Sequence, residues 1–493
     1  MGQLVDTKQA VLSTINEYIA AEETRLEELK RLSAKMKGSG NLEQLEHIAN
    51  PVNSYLIIKQ LTSDWKHIQH VMQENHANHY IQTLHNVQPK LRFPNEEDLS
   101  GAAASLFRLE DTYKLDPADM ATGQINGVRR AENLTAHDCF QLGLSAYKAD
   151  NLYHAVRWFQ QAYRQYKKED IPTIFEAEIL EHLSFSMNRW GLTDEAFRLV
   201  GLWKSIEPEN PRAQDNYKYY EQIFDDGWET PEEELVIKRP LIDIESARYE
   251  ALCRGEYEKT PAEEKELYCY YRSNSSPYLL LAPFKTEIVH RKPLIQVVRG
   301  IVSDAEVNIL KDFAAKVLRR ARVGTHKDQK YSPDRIGKNA FLYRHLNPYF
   351  STVFNRLGDF AGLSMKPAEE MQVTNYGIGG HYRAHYDFVK AKEGVIPFAD
   401  LGTGNRIATV LGYLSEPEAG GATVFPKINL TVFPTKNDAV FWYNLYPSGA
   451  GDMNTFHAAC PVLAGDKWVL NEWIHERGQD RARPCALDKD YYE

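Results

Sequence analysis

Residues 372–388 read QVTNYGIGGHYRAHYDF. Gly377, Gly379 and Gly380 make a turn, and His385-Tyr386-Asp387 follows it directly. Side chains two apart in a strand face the same side, so His385 and Asp387 can both point inward. A lone HxD triplet is common, so a metal reading needs a third ligand. His457, in Thr455-Phe456-His457-Ala458 between two strand signals, is the best placed. Two imidazoles and a carboxylate make the facial set of non-haem Fe(II), with open positions for a co-substrate and dioxygen. A rival pairing, His381 with His385, has helical spacing, but Tyr382 stands where an HExxH glutamate belongs and the glycines disfavour a helix. His475 closes a strand and is expected to face solvent.

Ten residues past His457, Lys467 heads an alternating run with Val469 and Asn471 on its own face. An inward lysine is costly unless an anion meets it. A dicarboxylate chelating iron at one end would present that anion at the other; the alternative is a surface lysine at a strand end. Arg406–Leu414, Ala422–Phe425, Ala439–Leu445 and Lys467–Ile474 are short, β-branched and aromatic, and separated by Gly/Pro/Ser turns. Strands so spaced predict a double-sheet barrel of the jelly-roll kind, able to hold a cofactor between its sheets.

Upstream the period is helical. Leu12, Ile15, Ile19, Glu22, Leu26 and Leu29 step in a heptad seam, Asn50-Pro51 breaks it, and Ile58, Leu61, Trp65, Ile68 and Met72 resume it. Seams this narrow predict pairing with a second copy, against the alternative of a plain helical hairpin. From Thr135 to Phe224 short amphipathic helices resemble a tetratricopeptide pair and a looser copy, too few for a solenoid. Tyr147, Asn216, Tyr217, Tyr219 and Tyr220 suit a groove for an extended peptide, although tyrosines also fill helix interfaces. Residues 225–240 read as an acidic, proline-punctuated linker.

The chain has 493 residues, with 58 basic against 68 acidic side chains and a net charge of −10. That balance argues against nucleic acid as the main partner, and no apolar run approaches the roughly 20 residues of a membrane helix. No signal peptide opens the sequence, which fits a cytosolic protein or a secretory one without its leader. Cys139, Cys253, Cys269, Cys460 and Cys485 lack zinc-type CxxC spacing. Triplets at Asn133, Asn274 and Asn429 permit glycosylation.

With QVTNYGIGGHY, LGTGNRIAT, GGATVFP, AVFWYNL and HAACPVLAGDKWVLNEWIHERGQ, the chain resembles the α subunits of collagen prolyl 4-hydroxylase, densely in its last 125 residues. The resemblance implies a multidomain α + β protein: a helical dimerisation domain (1–130), a TPR-like peptide-substrate-binding domain (131–224), a linker with a disulfide (225–292) and a double-stranded β-helix dioxygenase domain (293–493). It implies hydroxylation of X-Pro-Gly in procollagen-like chains with Fe(II), 2-oxoglutarate, O2 and L-ascorbate. It also implies residence in the endoplasmic reticulum lumen as an α2β2 tetramer with protein disulfide isomerase. Carried over by position, His385, Asp387 and His457 bind iron, Lys467 binds the distal carboxylate of 2-oxoglutarate and Tyr376 lines its pocket. Disulfides would fall at Cys253–Cys269 and Cys460–Cys485, leaving Cys139 free.

Two stretches depart from the family pattern. His182, Phe185 and Asn188 stand where the family's tyrosine-rich groove helix lies, while Arg212, Asn216 and Tyr219 keep the pattern on the next helix. Fewer aromatic faces predict weaker binding of long polyproline-like peptides or a shifted preference. The loop Tyr331–Phe341, expected over the active site, is less serine-rich than in the family. A hydroxylase of another proline-rich secreted protein, or a non-catalytic peptide-binding subunit, are the alternatives.

Overall fold

A computed structural model describes residues 2–37, 51–87, 93–129, 131–226, 237–274, 277–323, 330–390, 397–488 and 491–492. The expected break at Asn50, most of the linker and the end of the C-terminus lie outside them. The chain divides into two compact units, Met1–Ser100 and Gly101–Glu493.

The first unit is helical. A long helix, Gly2–Lys37, is followed by Pro51–Lys59, a wider π-type stretch Gln60–Asp64, Trp65–Gln73 and Ala77–Val87. The long helix meets the Trp65–Gln73 and Ala77–Val87 helices, with Tyr18 and Tyr80 edge to face at 5.9 Å. Its seam is not consumed by that packing: Leu12, Ile15, Ile19 and Leu26 stay between 44% and 49% exposed. Of the second seam only Ile68 is buried, while Ile58, Leu61, Trp65 and Met72 remain exposed.

In the second unit five successive helices (Ala136–Lys148, Leu152–Tyr166, Glu176–Trp190, Thr193–Ile206 and Pro211–Asp225) pack each on the next. Local chemistry sets their starts. Thr135 and Asp138 cap each other, Asn151 accepts from the His154 amide, and Asn210 precedes Pro211. The first pair approaches closely because Gly143 has no side chain to strike the Phe159 ring.

The C-terminal part is rich in sheet. Nine strands run in the order Cys269–Arg272, Phe284–His290, Ile295–Arg299, Ala439–Tyr443, Arg406–Tyr413, Lys467–His475, Met371–Tyr376, Lys338–Leu342 and Arg319–Arg320. Five more run Leu430–Val432, Thr423–Phe425, His457–Ala459, His381–His385 and Arg335–Ile336. One apolar cluster joins the inner faces of both sheets, including Leu411, Phe425, Val440 and Val469. Helices Asp304–Val317 and Pro348–Ala361 cover the outer face of the larger sheet through a second cluster. A third cluster runs from the helices into the smaller sheet, joining Phe107, Leu109 and Tyr113 to Val424, Ala458 and Cys460.

The disulfide differs from the expected pairing. Cys253 is bonded to Cys460 across 207 residues, with their Cα atoms 5.6 Å apart, and Cys139, Cys269 and Cys485 are free. The helix Ile244–Cys253 lies against the Thr423–Phe425 and Leu430–Val432 strands, which brings its last residue to the end of the His457–Ala459 strand. Cys269 instead starts an exposed strand paired with Phe284–His290, so neighbours in sequence are directed apart.

Candidate active site

The smaller sheet delivers the metal-type side chains. His385 and His457 are cross-strand partners in the antiparallel pairing of their strands, which sets their rings 4.4 Å apart. Asp387 follows where the strand has ended and turns back between them, with Oδ1 3.5 Å from His385 Nε2 and Oδ2 3.6 Å from His457 Nε2. One ligand atom from each of the three lies within 4.8 Å of the others, the only such group of three among the described residues.

The surroundings orient each ligand. His385 Nδ1 donates to the Arg383 carbonyl (2.8 Å) and His457 Nδ1 to the Thr455 carbonyl (2.9 Å). Both Nε2 atoms are thereby left as lone pairs facing the centre, as metal-binding imidazoles require. Behind Asp387 runs a relay of donors: Thr409 Oγ1 donates to Oδ2 (2.8 Å), Asn444 Nδ2 to Thr409 Oγ1 (2.8 Å) and Trp442 Nε1 to Asn444 Oδ1 (2.8 Å). Burial alone would raise the Asp387 carboxyl, but His457, His385 and Arg406 outweigh it and hold it well below the usual range. Burial pushes the His457 imidazole down to about 4, against the pull of Asp387, so it is neutral at physiological pH. Tyr382 stacks on His385 at 3.6 Å.

Lys467 lies on the same cavity wall, with Tyr376 as its strand partner. It is fully buried, and Nζ donates only to Thr423 Oγ1 at 3.3 Å, a hydroxyl that also accepts from Tyr413. No carboxylate among the described residues pairs with it, and burial pushes its ammonium down to about 7. The cavity thus carries a ligand set at one place and a cation awaiting an anion at another. Tyr376, also buried, lines the same space.

Other polar residues here escaped sequence reasoning. Arg335 reaches in from the segment expected as a loop, which forms two short strands; it donates to Gln372 Oε1 (2.7 Å) and its guanidinium covers the Tyr382 ring at 4.6 Å. Expected at solvent, His475 is fully buried, because its strand continues to that residue and pairs with Arg406. Its Nε2 meets Glu369 Oε1 at 2.9 Å and its Nδ1 donates to the Gly404 carbonyl at 2.7 Å. Arg406 bonds both Glu369 oxygens and stacks over Trp473. A lone arginine or glutamate carries no spacing signal; only the alternation of the strand after Lys467 pointed here.

On the peptide module, His182 and Phe185 meet Tyr147 edge to face at 6.4 and 5.9 Å, and His182 also contacts Phe140. Asn188 accepts from Thr193 Oγ1 at 3.2 Å. On the last helix Arg212, Asn216 and Tyr219 share one exposed face, with Arg212 paired to Glu181. Of the three candidate glycosylation asparagines, Asn133 is exposed, Asn429 is half-buried, and Asn274 spends its amide nitrogen on the Phe360 and Asp359 carbonyls.

Three family models match this chain. Residues 1–127 match the prolyl 4-hydroxylase alpha-subunit N-terminal region, 136–226 the prolyl 4-hydroxylase peptide-substrate-binding domain and 371–475 the 2OG-Fe(II) oxygenase superfamily. Prolyl 4-hydroxylase subunit alpha-2 of Caenorhabditis elegans is 42% identical over 506 residues, spanning 100% of this chain and 93% of that protein. Prolyl 4-hydroxylase subunit alpha-1 of Homo sapiens is 40% identical over 510 residues, spanning 99% of this chain and 95% of that protein.

Proposed function

From the premise that the chain belongs to the prolyl 4-hydroxylase alpha-subunit family, we propose that it hydroxylates proline at C4 in X-Pro-Gly sequences of procollagen-like chains. The observation that carries this reading is a two-histidine, one-aspartate set, with Asp387 and His457 buried and His385 partly open, sharing its cavity with a buried lysine that lacks an anion. The donor set fits Fe(II): two imidazoles whose Nε2 atoms face the centre and one carboxylate kept ionised. The chemistry that bound iron supplies is oxidative decarboxylation of 2-oxoglutarate to succinate and CO2, coupled through O2 to oxygen insertion at proline.

The chain's own residues bind, orient and exclude. His385, Asp387 and His457 would hold the metal, with Thr409 and the two backbone carbonyls fixing their directions. Lys467 would meet the distal carboxylate of the co-substrate beside Tyr376, and the arriving anion restores the charge that burial disfavours. Trp442, Leu411 and Val469 make the wall dry, which strengthens that pairing. Tyr147, His182, Phe185, Asn188, Arg212, Asn216 and Tyr219 would grip the flanking proline-rich peptide through ring faces and amides.

The finer family properties belong to the same reading: a double-stranded β-helix for the facing sheets, ascorbate as reductant, residence in the endoplasmic reticulum lumen, glycosylation at Asn133, Asn274 or Asn429, and a β subunit of protein disulfide isomerase. Self-association through the N-terminal helices is supported by the exposed seam of Leu12, Ile15, Ile19 and Leu26. The test is 2-oxoglutarate decarboxylation by the protein co-expressed with protein disulfide isomerase, with and without (Pro-Pro-Gly)n, and hydroxyproline read by mass spectrometry. Peptide-stimulated turnover yielding 4-hydroxyproline, lost in His457→Ala, is expected. Turnover that the peptide does not stimulate would redirect the substrate to another proline-rich protein. A folded, iron-loaded protein without turnover would sink the enzyme reading.

A further inference from the structure

The last three turns of the Glu96–Tyr113 helix, at the end of the segment matched to the N-terminal region, touch the barrel at two backbone carbonyls. Arg108 Nη1 donates to the Gly379 carbonyl at 2.9 Å, and Tyr113 Oη donates to the Pro461 carbonyl at 2.5 Å. These carbonyls occupy particular places. Gly379 lies in the turn joining Tyr376 to the strand that ends in His385, and Pro461 lies in the segment joining His457 to Lys467. Each bond therefore pins a piece of chain with a metal-type ligand at one end and a co-substrate-pocket residue at the other.

The two pinned segments are also bonded to each other. The Gly379 amide donates to the Val462 carbonyl at 2.8 Å and the Val462 amide to the Gly380 carbonyl at 3.1 Å. Fit is as close as backbone allows. A Cβ on Gly379, which has a φ of +71°, would sit 2.6 Å from the Ser105 Cβ, and one on Gly420 would sit 2.6 Å from Tyr113 Oη. The next residue, Gly421, donates its amide to the same Pro461 carbonyl at 3.0 Å, and a Cβ there would touch the Lys467 stem. The helix end is itself anchored: Arg254 donates to the Thr112 carbonyl at 2.7 Å, one residue from the disulfide-bonded Cys253.

We propose that Arg108 and Tyr113 are positioning residues of the catalytic centre, holding the two turns that set the His385 and His457 strands and the Lys467 wall against one another. They act through backbone carbonyls and touch no reacting atom. Without Arg108 the Gly379 carbonyl must find another donor or stay unpaired, and without Tyr113 the Pro461 carbonyl keeps only the Gly421 amide, so the turns shift; displacement of the supports behind a metal site costs affinity and rate. The catalytic unit of this chain accordingly begins in the helix at Arg108, not at the barrel. This rests on the reading of His385, Asp387 and His457 as a metal site.

The test uses the full chain with Arg108→Met, Arg108→Lys, Tyr113→Phe and Lys114→Gln; the last removes only the exposed pair with Glu256 at the same helix end. Metal-free protein is titrated with Co(II), and amide hydrogen exchange is followed at 377–381 and 461–464 before any metal is added. Arg108→Met and Tyr113→Phe are expected to lose about tenfold in Co(II) affinity and to exchange faster at Gly379 and Val462. Arg108→Lys, which keeps a donor, should recover much of both, and Lys114→Gln should match the unmodified protein. In turnover the same two variants should raise the KM for 2-oxoglutarate more than that for peptide. Unchanged metal affinity and exchange in both variants would overturn the proposal, whatever their melting temperatures. Should Tyr113→Phe fail to fold, Arg108→Met at the half-buried end decides alone. Metal titration and exchange need no turnover, so a protein without hydroxylase activity would refute the function and leave this test standing.

Discussion

The ligand cluster between the sheets and the aromatic face of the helices at 136–226 are built on opposite plans. In the smaller sheet and the turn after it, His385, Asp387 and His457 are each held from behind, by backbone carbonyls and the Thr409–Asn444–Trp442 relay. On the helices, Phe185 and Tyr219 are about half exposed and Arg212 and Asn216 project into solvent. One site is over-determined by its own fold; the other is completed by whatever lies on it. The first should therefore fail abruptly when a single part is removed, and the second should change by degrees.

The largest effect is expected at the buried site. Asp387→Asn keeps the shape but removes the charge that both imidazoles face, so metal retention and turnover should vanish while the folded protein persists. Metal content after gel filtration, alongside circular dichroism, checks this; iron retained with normal turnover would break the contrast at its strongest point. Next comes the disulfide. Cys253–Cys460 closes a long loop, and losing such a crosslink costs about 3–4 kcal/mol. Cys253→Ser with Cys460→Ser should show that loss in urea unfolding of the metal-free protein, whereas Cys269→Ser and Cys485→Ser, both at exposed free thiols, should show little. An equal loss from Cys269→Ser with Cys485→Ser, which takes one member from each expected disulfide, would restore the pairing that the resemblance implies.

A third prediction concerns charge. Burial pushes Lys467 down to about 7 from its ordinary 10.5, so between those values the folded protein binds fewer protons than the unfolded chain. This group's contribution therefore favours folding most fully above the unfolded value and loses that advantage as pH falls through the window towards 7. Pairing with a carboxylate reverses the shift. At pH 8 the binding of 2-oxoglutarate should take up close to one proton, by calorimetry in buffers of different ionisation enthalpy, and above pH 7 its KM should rise by about tenfold per unit. Lys467→Met should abolish the uptake. Binding without proton uptake would mean that the lysine is already charged in the empty site.

The same contrast explains what was legible beforehand. The HxD triplet and the alternation after Lys467 point to His385, Asp387 and Lys467, although Asp387 lies past the end of its strand and is turned inward by the chain there; the opposite strand sets His457 across from His385. His475 was misplaced since nothing local says whether a strand ends or runs on, and only Glu369, 106 residues away, explains its burial. Arg335 and Arg406 have partners from distant strands and no spacing of their own. The resemblance implies the pairs Cys253–Cys269 and Cys460–Cys485, while the fold joins Cys253 to Cys460 through the packing of the Ile244–Cys253 helix on the smaller sheet. In the helices the expected groove face holds only in part: Tyr219 is exposed, whereas Tyr220 is buried in a helix interface with Tyr217 packed against it.

The smallest effects should fall on the peptide face, and their smallness is informative. Phe185 offers an exposed ring edge to face with Tyr147, and an aromatic contact of this kind is worth about 0.5–1.5 kcal/mol beyond its area. Phe185→Ala should raise the KM for a long proline-rich peptide by roughly threefold to tenfold and leave the KM for 2-oxoglutarate alone. His182 is different. Its Nδ1 donates to the Glu178 carbonyl, and its ring is held among Phe140, Tyr147 and Phe159, so a larger ring there extends a surface that already exists. His182→Tyr should lower the peptide KM by about threefold, in a direction opposite to Phe185→Ala. Two substitutions three residues apart on one helix, with opposite signs on peptide and none on co-substrate, would mark this face as a surface that tunes affinity by area. Equal losses in both, accompanied by a change in 2-oxoglutarate KM, would instead mean that the helices transmit their packing to the barrel, and the division between the two plans would not hold.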